Sequence, residues 1–183
     1  AGAEGYNVAV GFSAGVAMTT GASNTIVGGL AGDALTTGSD NVAIGANALS
    51  TEDTGGRNVA VGRGTLQNQN VDSSAYNVAI GYEAGNDITT GVQNTIVGAQ
   101  AGDALTTGSY NTVFGYEALT TEDAHSGNTA IGYQALRVQD AGSNAYNTAV
   151  GHQAGAAITT GTDNVLIGAF AGDALVEGDY NVA

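Results

Sequence analysis

The sequence predicts a mainly β chain, a parallel β-solenoid (β-roll) built from short coils of fixed length. Three observations carry this. A five-residue unit, Asn7-Val8-Ala9-Val10-Gly11, returns at Asn24, Asn41, Asn58, Asn77, Asn94, Asn111, Asn128, Asn147 and Asn164, and begins again at Asn181. The spacing between these asparagines runs 17, 17, 17 and 19 residues, and then the set repeats. Proline is absent from all 183 residues, as expected of a stack in which nearly every backbone N–H bonds to a neighbouring coil.

The chain is one repeat array over 1–183, with ten full coils and a partial eleventh. A four-coil super-repeat lies above the coil: 7–76 matches 77–146, and 147–183 begins a third copy. Ala-Gly-Asp-Ala-Leu recurs at 31–35, 101–105 and 171–175, and Thr-Glu-Asp at 51–53 and 121–123. The two extra residues of the long coils fall in polar stretches, 67–76 and 137–146, expected as loops protruding once per super-repeat. The array begins and ends inside its own pattern, which reads as the ordered part of a longer or processed protein.

With the asparagine as position 1, positions 2 to 4 are short, rich in β-branched residues and closed by glycine at position 5, which predicts a strand. Position 8 is alanine except at Thr65. An i, i+4 spacing from position 8 to position 12, among good helix formers as in Gly-Tyr-Glu-Ala-Leu at 115–119, allows one short helical turn per coil. A turn such as Thr19-Thr20-Gly21 closes the coil. Positions 9 and 12 trade off. Glycine at 9 (Gly15, Gly32, Gly85, Gly102, Gly155, Gly172) goes with a large apolar residue at 12 (Met18, Leu35, Ile88, Leu105, Ile158, Leu175). Leucine at 9 (Leu49, Leu66, Leu119, Leu136) goes with a polar residue at 12 (Glu52, Gln69, Glu122, Gln139). One slot of fixed volume, filled from either of two backbone positions, explains the exchange, because close-packed interiors require such a balance.

The asparagines Asn7, Asn24, Asn41, Asn58, Asn77, Asn94, Asn111, Asn128, Asn147, Asn164 and Asn181 are expected to form a stacked ladder. Each amide would bond to neighbours above and below and hold the bend where the strand begins. No asparagine has Ser or Thr two residues on, so none fits the N-glycosylation rule.

Position 3 is apolar in every copy. Side chains alternate across a strand, so if positions 2 and 4 face the coil interior, position 3 faces out. On that phase Ala9, Ile26, Ala43, Ala60, Ala79, Ile96, Val113, Ala130, Ala149 and Leu166 form an oligomer interface. The opposite phase exposes Val, Ile and Phe114 instead, so either way the sheet has two apolar faces, and such sheets are covered on both sides. A lateral homo-oligomer follows, most simply a trimer around these strands.

The formal charge is −14, with Arg57, Arg63 and Arg137 the only cationic side chains. That surface repels phosphate and anionic lipid, which argues against nucleic-acid and membrane partners. No stretch of 18 apolar residues suits a membrane span. Without cysteine there is neither disulfide nor thiolate metal site. Asp33, Asp103 and Asp173 recur four coils apart, roughly 19 Å at the sheet spacing, so they cannot share an ion. They read as a solvated acidic face, and no cofactor is expected; the pairs Glu52-Asp53 and Glu122-Asp123 leave calcium a small place. The Thr-Thr pairs read as turn residues before ice contact or O-glycosylation. The tyrosines before the asparagine (Tyr6, Tyr76, Tyr110, Tyr146, Tyr180) and after the glycine (Tyr82, Tyr116, Tyr133, with Phe12 and His152 in like places) read as packing before sugar binding. With His125 and His152 the only histidines and no nucleophile elbow, HExxH or P-loop present, no enzyme is expected.

The Asn-x-Ala-Ile-Gly core resembles the head repeats of trimeric autotransporter adhesins. Asn128-Thr129-Ala130-Ile131-Gly132-Tyr133-Gln134-Ala135-Leu136 resembles the N-T-A-I-G-Y-Q-A-L repeats of phage tail-fibre and related surface proteins. The resemblance covers essentially the whole chain and implies an extracellular or virion-surface fibre that attaches to surfaces. No site residue transfers with it. The sequence therefore points to a structural fibre or adhesin segment. The alternatives are the protomer of an end-to-end extracellular filament, which uncapped coil ends would favour, and a solenoid module that binds glycan or ice.

Overall fold

The computed structural model describes residues 5–121 and 123–183. Ten three-residue strands lie in one parallel sheet in sequence order. They are β1 (Val8–Val10), β2 (Thr25–Val27), β3 (Val42–Ile44), β4 (Val59–Val61), β5 (Val78–Ile80), β6 (Thr95–Val97), β7 (Thr112–Phe114), β8 (Thr129–Ile131), β9 (Thr148–Val150) and β10 (Val165–Ile167). Equivalent positions pair: Val8 with Thr25, Val59 with Val78, Thr129 with Thr148. Val182 adds a further parallel bridge to Val165. The architecture is a parallel β-solenoid, with each coil offering one strand to the sheet and turns elsewhere.

Glycine at position 5 is required by how closely the coils approach. Its φ is +139 at Gly11, and a Cβ there would come within 2.6 Å of the Gly28 carbonyl carbon one coil on. The same contact recurs up the stack, so only a residue without a side chain lets the strand leave the sheet at this spacing.

The expected helical turn is absent: no helix occurs among the described residues. Positions 7 and 9 have positive φ in all ten coils, for example Asn47 at +57 and Leu49 at +53, or Glu117 at +51 and Leu119 at +52. Alternating left-handed residues bend the chain sharply and cannot propagate an α-helix of L-residues. Their N–H groups bond between coils instead. Gly32 N donates to Ala48 O at 2.9 Å, Leu49 N to Thr65 O at 3.0 Å and Asn47 N to Gly29 O at 3.0 Å. The i, i+4 spacing brings positions 8 and 12 to one side by a different route.

The core is a thin column inside the coils. Position 8 alanines, such as Ala48, Ala84, Ala118 and Ala135, are fully buried, as are Leu35, Leu49, Leu66, Ile88, Leu105, Leu119 and Leu136 from positions 9 and 12. A Cβ on Gly102 would lie 3.0 Å from Leu105 Cδ1 and 3.2 Å from Ile96 Cδ1, so the position 12 aliphatic fills the space a position 9 side chain would need. Where leucine takes that space, it does so from a left-handed backbone that costs about 1–3 kcal/mol per non-glycine residue. Glu122, of the position 12 series, lies outside the described residues.

The face assignment from sequence is overturned. The middle residue of each strand from β2 to β10 is buried inside the coil, and its two neighbours are half-buried or exposed. Ile26, Ala43, Ala60, Ala79, Ile96, Val113, Ala130, Ala149 and Leu166 are therefore core residues rather than interface. Ala9, at the same position in the first coil, is exposed. The physical reason is size. The interior opposite the sheet already holds one large aliphatic per coil, and the generally smaller position 3 side chains fit beside it where two bulky rows would not.

Candidate functional site

The outward sheet face carries three rows. Position 2 supplies valine or threonine, position 4 valine, isoleucine or phenylalanine, and position 6 a mixture containing Phe12, Arg63, Tyr82, Tyr116, Tyr133 and His152. The position 4 row is Val10, Val27, Ile44, Val61, Ile80, Val97, Phe114, Ile131, Val150 and Ile167. Ile80 is 40% exposed and Phe114 43% exposed. Positions 2 and 4 carry no charged residue in any coil, so the acids sit on turns and the apolar row runs unbroken. Ten strands about 4.8 Å apart give a row about 43 Å long. Three rows spanning about 13 Å give a patch of roughly 550 Å², at the upper end of the largest patches on ordinary monomers.

Behind this face stands the asparagine ladder, and its geometry differs in detail from the expected amide-to-amide stack. Asn24 Nδ2 donates across its own coil to Gly38 O at 2.9 Å, while Asn24 Oδ1 accepts the backbone N–H of Asn41 at 2.9 Å. The second contact repeats coil by coil from Asn7 to Asn181. Direct amide-to-amide bonds join Asn58 to Asn41, Asn164 to Asn147 and Asn181 to Asn164. Asn24, Asn41, Asn77, Asn94, Asn111, Asn147 and Asn164 thus each satisfy one donor and one acceptor that the turn into the strand leaves open.

Sequence reasoning missed that polar position 12 residues also point inward. Glu52 and Gln69 are fully buried. Glu52 accepts from Gly55 N at 2.7 Å, Gln69 Nε2 at 2.9 Å and Val71 N at 3.2 Å, and Gln69 Oε1 accepts from Asn77 Nδ2 at 2.8 Å. Burial pushes the Glu52 carboxyl above its ordinary range, against the pull of those hydrogen bonds. The available signal was the coincidence of these polar residues with Leu at position 9. In the second super-repeat the bond runs from Gln139 Nε2 to Asn128 Oδ1 at 3.3 Å, leaving Asn128 Nδ2 and Gln139 Oε1 buried without partners.

The aromatic residues stack on one another along the rod. Tyr116 and Tyr133 are 5.8 Å apart and near parallel, Tyr133 and His152 5.0 Å apart and near parallel, and Phe170 tilts onto His152 at 5.1 Å. Arg57 and Arg63 lie over Tyr76 and Tyr82. Along this run the ring faces meet neighbouring groups while Tyr116 and Tyr133 stay exposed at their edges, which suits packing better than sugar stacking. Tyr116 also bonds to Glu117, raising the phenol, and Gln134 with Tyr116 holds the Glu117 carboxylate below its usual range. The Thr19, Thr36, Thr89, Thr106 and Thr159 hydroxyls donate to backbone carbonyls one coil on.

Among the acids, burial lifts Asp103 to about 6, with Asp87 and Glu117 adding to the rise. Asp33 Oδ1 and Asp103 Oδ1 are buried and lack hydrogen-bond partners. Glu52 of the Glu52-Asp53 pair is committed to the core network, and the Glu122-Asp123 pair includes a residue outside the described ones. Among the described residues no helix is long and apolar enough to cross a membrane. No protein-family model, no curated protein and no solved structure matches this chain.

Proposed function

We propose that this chain is a structural segment of an extracellular or virion-surface fibre: a stiff rod of 17-, 17-, 17- and 19-residue coils that associates laterally with copies of itself, most simply as a trimer. The observation that carries the reading is the uncharged, apolar position 4 row on the outer sheet face. With the position 2 and position 6 rows beside it the face reaches roughly 550 Å² per copy, short of the ~800 Å² per partner of a standard stable interface, so the exposed tyrosines that precede the asparagines, such as Tyr76, Tyr110 and Tyr146, belong to the contact. We assign the rod no catalytic role.

A second arrangement has its own support. Among the described residues β1 has one long edge that no strand covers, while β10 is covered by 181–183, with Ile167 N donating to Ala183 O at 2.8 Å; a parallel strand edge is a template for another. Copies meeting end to end would continue the sheet into a filament. Glycan or ice contact draws less support, since the stacked rings face each other and the position 13 threonine hydroxyls are used between coils.

The test is light scattering of the purified chain together with negative-stain micrographs. Lateral association gives a defined multiple of the 17.9 kDa chain, and end-to-end association gives long filaments. Ile80→Asp with Ile131→Asp, on the outer face, should release monomers with an unchanged circular dichroism spectrum. A wild-type chain that stays monomeric at high concentration and forms only isolated short rods would overturn the proposal.

A further inference from the structure

One corner of the solenoid departs from the repeat in a way that stacking alone does not require. Position 13 forms a row up the rod: Thr19, Thr36, Asp53, Asn70, Thr89, Thr106, Asp123, Asp140, Thr159 and Val176. Only Asp123 and Asp140 place carboxylates on successive rungs. Like charges in directly neighbouring strands or rungs are unfavourable, and at the matching place one super-repeat earlier the pair is Asp53 with Asn70. The same corner holds a second departure. Position 15 is glycine in most coils, including Gly55, whose Cβ would come within 2.6 Å of the Glu52 carboxylate. Its counterpart is His125, whose backbone carbonyl still serves the ladder by accepting from Asn111 Nδ2 at 3.0 Å. The imidazole is thus an addition to the repeat, and it is only 5% exposed.

These two departures converge. The Nδ1 of His125 is 4.0 Å from Asp140 Oδ1, and one donor atom from each of Asp123, His125 and Asp140 lies within 4.8 Å of the others. From this geometry we propose that Asp123, His125 and Asp140 bind one divalent transition-metal ion of the zinc class at the junction of the seventh and eighth coils.

The donor set selects the class. An imidazole with two carboxylates suits zinc and its neighbours, while calcium takes six to eight oxygen ligands and has no preference for nitrogen. Metal–ligand distances of about 2.0–2.2 Å put tetrahedral donors about 3.3 Å apart. Both aspartates are exposed, so side-chain rotation closes the remaining ångström without moving the backbone. The buried imidazole is the fixed member and the carboxylates are the arms that close. Water completes the coordination. The cation cancels the repulsion between the stacked aspartates and ties two coils together.

The repeat supplies the controls. His125→Gly and Asp140→Asn restore the residues found at Gly55 and Asn70, which the same coil geometry already accommodates. Isothermal titration of the full chain with zinc chloride in chelator-free buffer should give one ion per chain, reversed by EDTA. Losing an outer-shell partner of a metal ligand costs about 10–100-fold in affinity, so losing a ligand should weaken binding at least about tenfold in each variant. Asn70→Asp, which builds the carboxylate pair without the imidazole, should add no second zinc site. Absence of zinc binding by the wild-type chain would overturn the proposal, and so would equal zinc affinity in His125→Gly. Calcium binding as tight as zinc and indifferent to His125→Gly would show an acidic patch only. If a variant melts early, zinc should still raise the melting temperature of the wild-type chain; no rise counts against the site.

Discussion

Replacing Asn41 with alanine removes three buried hydrogen bonds at one rung. Asn41 Nδ2 donates to Gly55 O at 3.0 Å, and Asn41 Oδ1 accepts from Asn58 N at 3.0 Å and Asn58 Nδ2 at 3.1 Å. Asn41→Ala therefore strands a backbone N–H, an amide NH₂ and a carbonyl in a fully buried corner. A buried polar group left unsatisfied costs about 1–3 kcal/mol. Three groups at the low end, where a water enters the vacated space, give a loss of about 3 kcal/mol. Asn128 provides the internal comparison. Its Nδ2 already lacks a partner, and its Oδ1 serves Asn147 N at 3.1 Å and Gln139 Nε2 at the longer 3.3 Å. Asn128→Ala should cost less by about 1 kcal/mol, roughly one hydrogen bond. Chemical denaturation measures both, and native-state hydrogen exchange at the Asn58 amide localises the effect, since a solenoid loosens coil by coil. A loss below about 1 kcal/mol for Asn41→Ala, the net worth of one ordinary hydrogen bond, with the Asn58 amide still protected, would refute the idea that the ladder holds the strand entry.

Three further outcomes follow from the same structure. Ile96→Asp puts a carboxylate into the core and should unfold its neighbourhood at a cost of several kcal/mol, whereas Ile80→Asp on the outer face should change association and leave the melting temperature within a few degrees; calorimetry and light scattering on the pair separate the two faces. Gly102→Leu alone should destabilise by about 1–3 kcal/mol through overpacking against Leu105 and Ile96, and adding Leu105→Ala should recover at least about 1 kcal/mol in a double-mutant cycle, because the two positions share one slot. Asp103 has a folded-state pKa raised from 3.8 to about 6, so the folded chain holds that proton more tightly than the unfolded one. Its contribution to stability is fully present below about pH 4 and is lost as pH rises through about 6; Asp103→Asn should flatten the stability profile in that window, measured by denaturation at stepped pH, and an unchanged profile would contradict the assignment.

Much of the rod could be read from the chain because its physics is local and repeated. The asparagine rung, the glycine where coils approach and the strand at positions 2 to 4 each arise from one backbone position meeting its own copy a coil away, and the exchange between positions 9 and 12 from two positions of one coil sharing a slot. Ten copies of each constraint leave a visible pattern. The backbone of the second half of the coil was less visible. Glycine at position 9 and glycine or asparagine at position 7, as in Gly64 and Asn47, hint at left-handed conformations. Leu49, Leu66, Leu119 and Leu136 hide them, since leucine tolerates such a conformation only when the surrounding packing compels it. The site at His125 shows as two departures from the 70-residue repeat, Gly55 to His125 and Asn70 to Asp140, but nothing in the linear order says that they meet.

By itself, then, the sequence determined the period, the parallel register and the identity of the residues that bond between rungs, because each depends only on residues one coil apart. The tertiary structure alone decided which side of the sheet faces inward. A three-residue strand that is apolar on both sides reads the same in either phase. The choice falls to the volume enclosed by the turns opposite, and that volume exists only once the left-handed residues at positions 7 and 9 have folded the coil back on itself.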